Sequence, residues 1–157
     1  MIYLINGLPS VDELTLADKG SVEEARSAYE GLSDAQKALV GDDVLAKLEA
    51  AEAKIADLEA AAEADSFKEG HKEALSLTVG TVTIEDRVKV EAALEAYDKL
   101  SDEAKSKLTT EKALLDSLLA KIQESETDQA AANEVIDRIN GLPSVDELTL
   151  ADKGSVE

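Results

Sequence analysis

The chain has 157 residues, 35 acidic and 16 basic, and a formal net charge of −19. That surplus argues against nucleic-acid partners, which need clustered Lys and Arg. The absence of cysteine excludes disulfides, thiolate metal sites and thiol nucleophiles. Apolar residues make up 44 % but aromatics only 3 %, so a core must be assembled from Ala, Leu, Val and Ile. No apolar run approaches the ~20 residues that span a bilayer, so no membrane insertion is expected. The N-terminal stretch does not read as a secretory signal.

In chain order, Met1 to Asn6 read as the last turns of a helix, punctuated by Gly7 and Pro9. The next helix is expected to begin near Leu16, with Thr15 as N-cap and Asp18 three residues on, beside the positive end of the helix dipole. Val22, Ala25, Tyr29 and Leu32 step by three or four and mark one apolar face. Gly31 and Leu32 close that helix. Ser33 opens a short one reaching Val40, with Gln36 placed for a capping box. Gly41-Asp42-Asp43 reads as a turn and a new cap. A long helical pattern then runs through Leu45, Leu48, Ile55, Leu58 and Ala62 with no Gly or Pro before Gly70.

The same order then returns. Thr83 with Asp86 repeats the cap, Val90, Ala93, Tyr97 and Leu100 repeat the face, and Ser101, followed by Asp102 and Glu103, starts the short helix. A second long pattern passes Leu115, Leu118, Ile122, Val135, Ile136 and Ile139, unbroken from about Glu111 to Asn140. Gly141 is expected to cap it with a positive φ, and Pro143 prevents its continuation. Four exposed pairs place an acid four residues before a lysine: Asp43 and Lys47, Glu85 and Lys89, Glu95 and Lys99, Glu103 and Lys107. Such pairs contribute only ~0.2–0.5 kcal/mol each.

Self-comparison explains the recurrence. Eleven of the 24 positions from Leu14 to Lys37 are identical at a spacing of 68, and Ile5 to Glu23 recur unchanged as Ile139 to Glu157, 134 residues on. A fixed period of this size signals a repeat architecture. The expected fold is all-α, a spectrin-like tandem array of three-helix bundles that share long continuous connecting helices. Its units would be 1–58 with a shortened first helix, 59–125, and 126–157 as a partial third in which Thr149 and Asp152 form the cap again. Both ends are expected to fall inside a unit, so that head-to-tail or domain-swapped self-association through 127–157 is anticipated.

The runs Leu14-Thr15-Leu16-Ala17-Asp18-Lys19, Val22-Glu23, Ala25-Arg26, Ala28-Tyr29, Leu32 to Val40 and Leu48 to Glu52 resemble a repeat of exported Gram-positive surface proteins. They are similar to the three-helix modules, FIVAR-like among them, of S-layer-associated proteins, cell-wall adhesins and large secreted glycosidases. The resemblance covers the first unit, the second more weakly, and the third from about Val135. Leu77 to Thr81 stand where the pattern has Pro9 to Glu13. The resemblance implies an extracellular location at the cell surface or wall and a non-catalytic spacer or stalk joined to neighbouring domains. Its alternative is an adhesin-type module that engages a host protein or a wall or glycan ligand through an exposed helix face. It brings no catalytic residues.

Individual residues offer little chemistry. His71 lies four residues after Phe67 and four before Leu75, which makes it a structural residue on an apolar stripe. Asp42-Asp43 and Glu23-Glu24 lack the converging loop that calcium requires. No phosphate-binding glycine loop occurs, and no Ser or Lys sits in a nucleophile's frame. Tyr29 and Tyr97, at the same place in successive repeats, read as core. No catalytic, cofactor-binding or metal-binding residue is assigned, and no enzyme activity or cofactor is expected.

Overall fold

The computed structural model describes residues 2–142, with the side chain of Ile2 left aside. Among these residues the regular structure is all-α: α1 (Ile2–Asn6), α2 (Lys19–Glu30), α3 (Asp34–Lys37), α4 (Asp42–Gly70), α5 (Lys72–Leu75), α6 (Arg87–Asp98), α7 (Asp102–Ser106) and α8 (Thr109–Asn140). Single 3-10 turns, Leu16–Asp18 and Ile84–Asp86, lead into α2 and α6. The expected stop at Pro143, the cap at Thr149 and Asp152, and the repeated segment beyond Leu142 lie outside the described residues.

The helix starts follow from local hydrogen bonding. Asp18 accepts from the Thr15 backbone N–H (2.9 Å) and hydroxyl (2.8 Å), and Asp86 accepts likewise from Thr83 (3.1 and 2.9 Å). Each carboxylate thereby closes the turn before its helix and meets the positive end of the dipole. Gly41 takes φ +83°, a left-handed conformation that costs glycine nothing and lets the chain turn into α4. Gly141 differs from expectation, since it ends α8 without a positive φ. Its lack of a side chain still matters, because a Cβ there would lie 3.3 Å from the Asp137 carbonyl oxygen.

By compactness the chain divides into two units, Met1–Gly70 with Ala96–Thr109, and His71–Glu95 with Thr110–Glu157. In the first, α1, α2 and α4 enclose Ile5, Leu8, Leu14, Val22, Ala25, Leu48, Ala51 and Ile55, with Tyr29, Val44 and Leu58 packed at the edge. Burying a Leu, Ile or Val side chain stabilises by ~1.5–3 kcal/mol, several times the worth of a surface ion pair. Farther along α4, α7 packs on the helix. There Ala60, Ala64 and Phe67 are buried, as are Ala104 and Leu108. Alanines at helix contacts allow axes to approach closely, which is how a chain so poor in aromatics closes its core. Phe67 meets the Tyr97 ring edge-on, with centroids 6.1 Å apart. In the second unit, Val90 and Ala93 of α6 and Leu115, Leu118 and Ile122 of α8 are fully buried.

Three of the four lysines find other partners than the spacing suggests. Lys47 donates to the carbonyls of Asn6 and Leu8, Lys89 turns to Asp86 and Lys107 to Asp57. An i,i+4 contact stabilises so little that an acceptor on a neighbouring segment displaces it.

Candidate functional site

A cleft of about 430 Å³ lies between α2 and α4 of the first unit. Helical spacing builds it from both sides. Lys19, Glu23 and Arg26 recur along one face of α2, and Glu52, Ala56 and Glu59 along the facing side of α4. Val22 and Ile55, both nearly inaccessible, form its floor.

The rim is held by two ion pairs. Arg26 grips Glu52 through two parallel bonds, Nε to Oε1 at 2.6 Å and Nη2 to Oε2 at 2.5 Å, and its Nη1 also lies 3.4 Å from Glu30. Lys19 bonds to Glu59 and lies 3.7 Å from Glu23. The hydrogen bond from Arg26 to Glu52 raises the guanidinium pKa, and that from Lys19 to Glu59 raises the ammonium pKa. Both cations are thus held more firmly protonated, which suits charge pairing and offers no proton donor or acceptor near neutrality. The arrangement accommodates an apolar group over Val22 and Ile55 beneath a rim of neutralised charge.

The residues weighed from the sequence are dispersed. Tyr29 is half-buried against the core, with Arg26 and Lys37 5.5 and 5.4 Å from its ring centre. Tyr97 donates from its hydroxyl to the Lys105 carbonyl at 3.4 Å. His71 occupies the break between α4 and α5, with φ −120°, so the apolar stripe from Phe67 to Leu75 is not one continuous helix. Asp42 and Asp43 lie in the first turn of α4. Among the described residues no three carboxylate or imidazole groups converge as metal ligands would. Likewise no described helix is long and apolar enough to cross a membrane.

Sequence reasoning missed the Arg26–Glu52 clamp, whose partners stand 26 residues apart. A signal was available. At the repeat spacings of 68 and 67, Arg26 and Glu52 correspond to Leu94 and Leu119, whereas the other pair, Lys19 and Glu59, recurs as the ion pair Arg87–Glu126. A charge change on both facing helices at once marks positions that meet. Comparison with protein-family models, curated proteins and solved structures found no match to this chain.

Proposed function

We propose that the chain is a non-catalytic spacer, a tandem array of three-helix repeats of the FIVAR-like kind in an extracellular bacterial surface protein. The observation that carries this reading is the pair of uninterrupted helices α4 and α8, 29 and 32 residues long. At 1.5 Å per residue they reach about 43 and 48 Å. Each begins in one repeat, on the boundaries read from the sequence period, and ends in the next. A helical connection transmits orientation and length, whereas a Gly/Ser linker of equal residue count would collapse to a coil. The charge of −19 supports the same role, because like-charged chains stay apart and soluble. The units would hold neighbouring domains at a distance from the wall.

Two measurements test the reading. Small-angle scattering from the intact chain should fit a stiff particle, and a profile of freely jointed lobes overturns the spacer. Immobilised chain should retain no component of serum or cell-wall extracts at micromolar affinity. Specific retention of one protein or glycan would replace the spacer with an adhesin-type binding module.

A further inference from the structure

An asparagine followed by glycine exposes its side-chain amide to the next backbone nitrogen, because glycine carries no Cβ to block the approach. Asn6-Gly7, at the end of α1, is such a pair. The fold requires the glycine, since a Cβ there would lie 3.0 Å from the Tyr3 carbonyl oxygen. Asn6 is exposed, and among the described residues its side chain has no hydrogen-bond partner. Asn133 contrasts with it: its side chain accepts from Gln129 at 3.0 Å, and Glu134 follows it.

The main chain around Asn6-Gly7 is restrained instead. The Gly7 N–H donates to the Tyr3 carbonyl at 2.9 Å, and the Leu8 N–H to the Ile5 carbonyl at 3.2 Å. Lys47, in the second turn of α4, spans the pair, its ammonium 3.4 Å from the carbonyls of both Asn6 and Leu8. Ile5 and Leu8, on either side, are buried in the core. The second repeat has neither part. Its helix α5 ends in Leu75-Ser76, where the Ser76 hydroxyl closes the turn on the Glu73 carbonyl at 2.7 Å, and Leu114 stands 67 residues after Lys47. The ammonium and the Asn-Gly pair occur together and are replaced together.

We propose that Asn6-Gly7 is a site of spontaneous deamidation and that Lys47 is the positioning residue that keeps it closed. In the reaction the Gly7 nitrogen attacks Asn6 Cγ. The new N–Cγ bond forms, the Cγ–Nδ2 bond breaks, and ammonia leaves with the Gly7 proton. Water then adds to either carbonyl of the five-membered succinimide and opens it to aspartate or isoaspartate. Attack needs the Gly7 amide freed from Tyr3 and Asn6 rotated out of the helical region. Both motions draw the Asn6 and Leu8 carbonyls off the Lys47 ammonium. Isoaspartate adds a methylene to the main chain between Ile5 and Leu8, so the two side chains no longer reach their places in a close-packed core. The modification thus loosens α1 from α2 and α4. It concerns the chemical lifetime of the chain and does not rest on the spacer reading.

The test incubates the intact chain at neutral pH and follows deamidation by mass spectrometry of tryptic peptides. Those ending at Lys19 and Lys153 report Asn6 separately from Asn140, which precedes Gly141. Asn6 should convert about tenfold more slowly in the folded chain than in guanidinium chloride. Lys47→Leu, which supplies the second repeat's residue, should speed the folded reaction about fivefold, the low end for losing a bond to a charged donor. Lys47→Arg should restore the slow rate, since a guanidinium also donates to both carbonyls. Amide exchange at Ala25, buried in the core, should be the same in all three chains, which separates local from global opening. Equal rates in the folded and unfolded parent chain overturn the proposal. So does acceleration in Lys47→Leu that is matched by lost protection at Ala25. A Lys47→Leu chain that reacts no faster than the parent overturns it too, and a slower one would mean that the ammonium polarises the Asn6 carbonyl and promotes attack.

Discussion

Helices α3 and α7 start from the same Ser-Asp pair and end under different regimes. At α3 the cap is local: the Ser33 N–H donates to Gln36 Oε1 at 3.0 Å, and the Gln36 N–H approaches Ser33 Oγ at 3.4 Å. At α7 the residue three after the serine is Ala104, which has no side-chain acceptor to return, and Glu63 from α4 caps Ser101 instead. Gln36 is exposed and Ala104 is fully buried. Ser101 Oγ still accepts from the Ala104 N–H at 3.2 Å, so one alanine hands only the returning half of the cap to a tertiary acceptor and lets the helix lie down on its neighbour. A repeated sequence signal for a helix start does not say whether hydrogen bonds or packing will hold that helix.

The comparison is broken most forcefully by removing packing. Leu108→Ala, at a fully buried site, should lose about 2–5 kcal/mol in urea denaturation. Leu39→Ala, in the corresponding segment but 81 % exposed, should stay within about 0.5 kcal/mol of the parent chain. Equal losses would mean that both segments are covered.

Exchanging the distinguishing residue gives the next effect. Ala104→Gln inserts a longer polar side chain beneath α4 and should cost about 1–3 kcal/mol through overpacking. The reciprocal Gln36→Ala removes only a local cap and should cost about 0.5–1 kcal/mol. Melting curves of the two variants, recorded side by side, check the ratio.

Features that depend on short-range periodicity were legible in the sequence. The expected start of the long helices at Asp43 and Glu111 lies within two residues of the observed starts of α4 and α8, and the Thr15–Asp18 and Thr83–Asp86 turns occur where read. All-α structure followed from the same spacing. Lys47, Lys89 and Lys107 were misassigned because the i,i+4 rule knows nothing of carbonyls and carboxylates brought near by packing. His71 was placed inside a helix because heptad-like spacing continues through a break that one backbone angle creates. The cleft was the least legible feature, since Arg26 and Glu52 meet only after α2 and α4 have packed.

That cleft allows a third test of local against tertiary control. The double variant Arg26→Leu with Glu52→Leu reproduces the residues found at positions 94 and 119 of the second repeat. Both side chains of the pair are about a third exposed or less, at 29 and 33 %, so solvent already weakens their attraction. Replacing both should change stability by less than about 1 kcal/mol. Arg26→Leu alone should be worse than the double variant, because it leaves the Glu52 carboxylate without its clamp.

The smallest effect follows from acid. Hydrogen bonds from the Ser101 hydroxyl and N–H hold the Glu63 carboxyl below its ordinary pKa, so the folded state gives up that proton more readily than the unfolded chain. Its stabilising contribution is therefore complete above the unfolded value near 4.5 and is lost as pH falls through the lower folded value. Gln36, which caps α3, does not titrate. Acidification also discharges the surface and relieves self-repulsion, but that change acts on both helices together. Amide exchange corrected for intrinsic rates separates the two. Protection at the Ala104 N–H, which donates to Ser101 Oγ at 3.2 Å, should fall between pH 5 and about 3 while protection at the Gln36 N–H changes less. In Glu63→Gln the pH-dependent difference should vanish, because the amide can still accept from Ser101 but carries no charge to lose. If Ala104 and Gln36 lose protection in parallel in the unmutated chain, the cap on α7 does not depend on the carboxylate, and burial of Ala104 and Leu108 alone holds that helix in place.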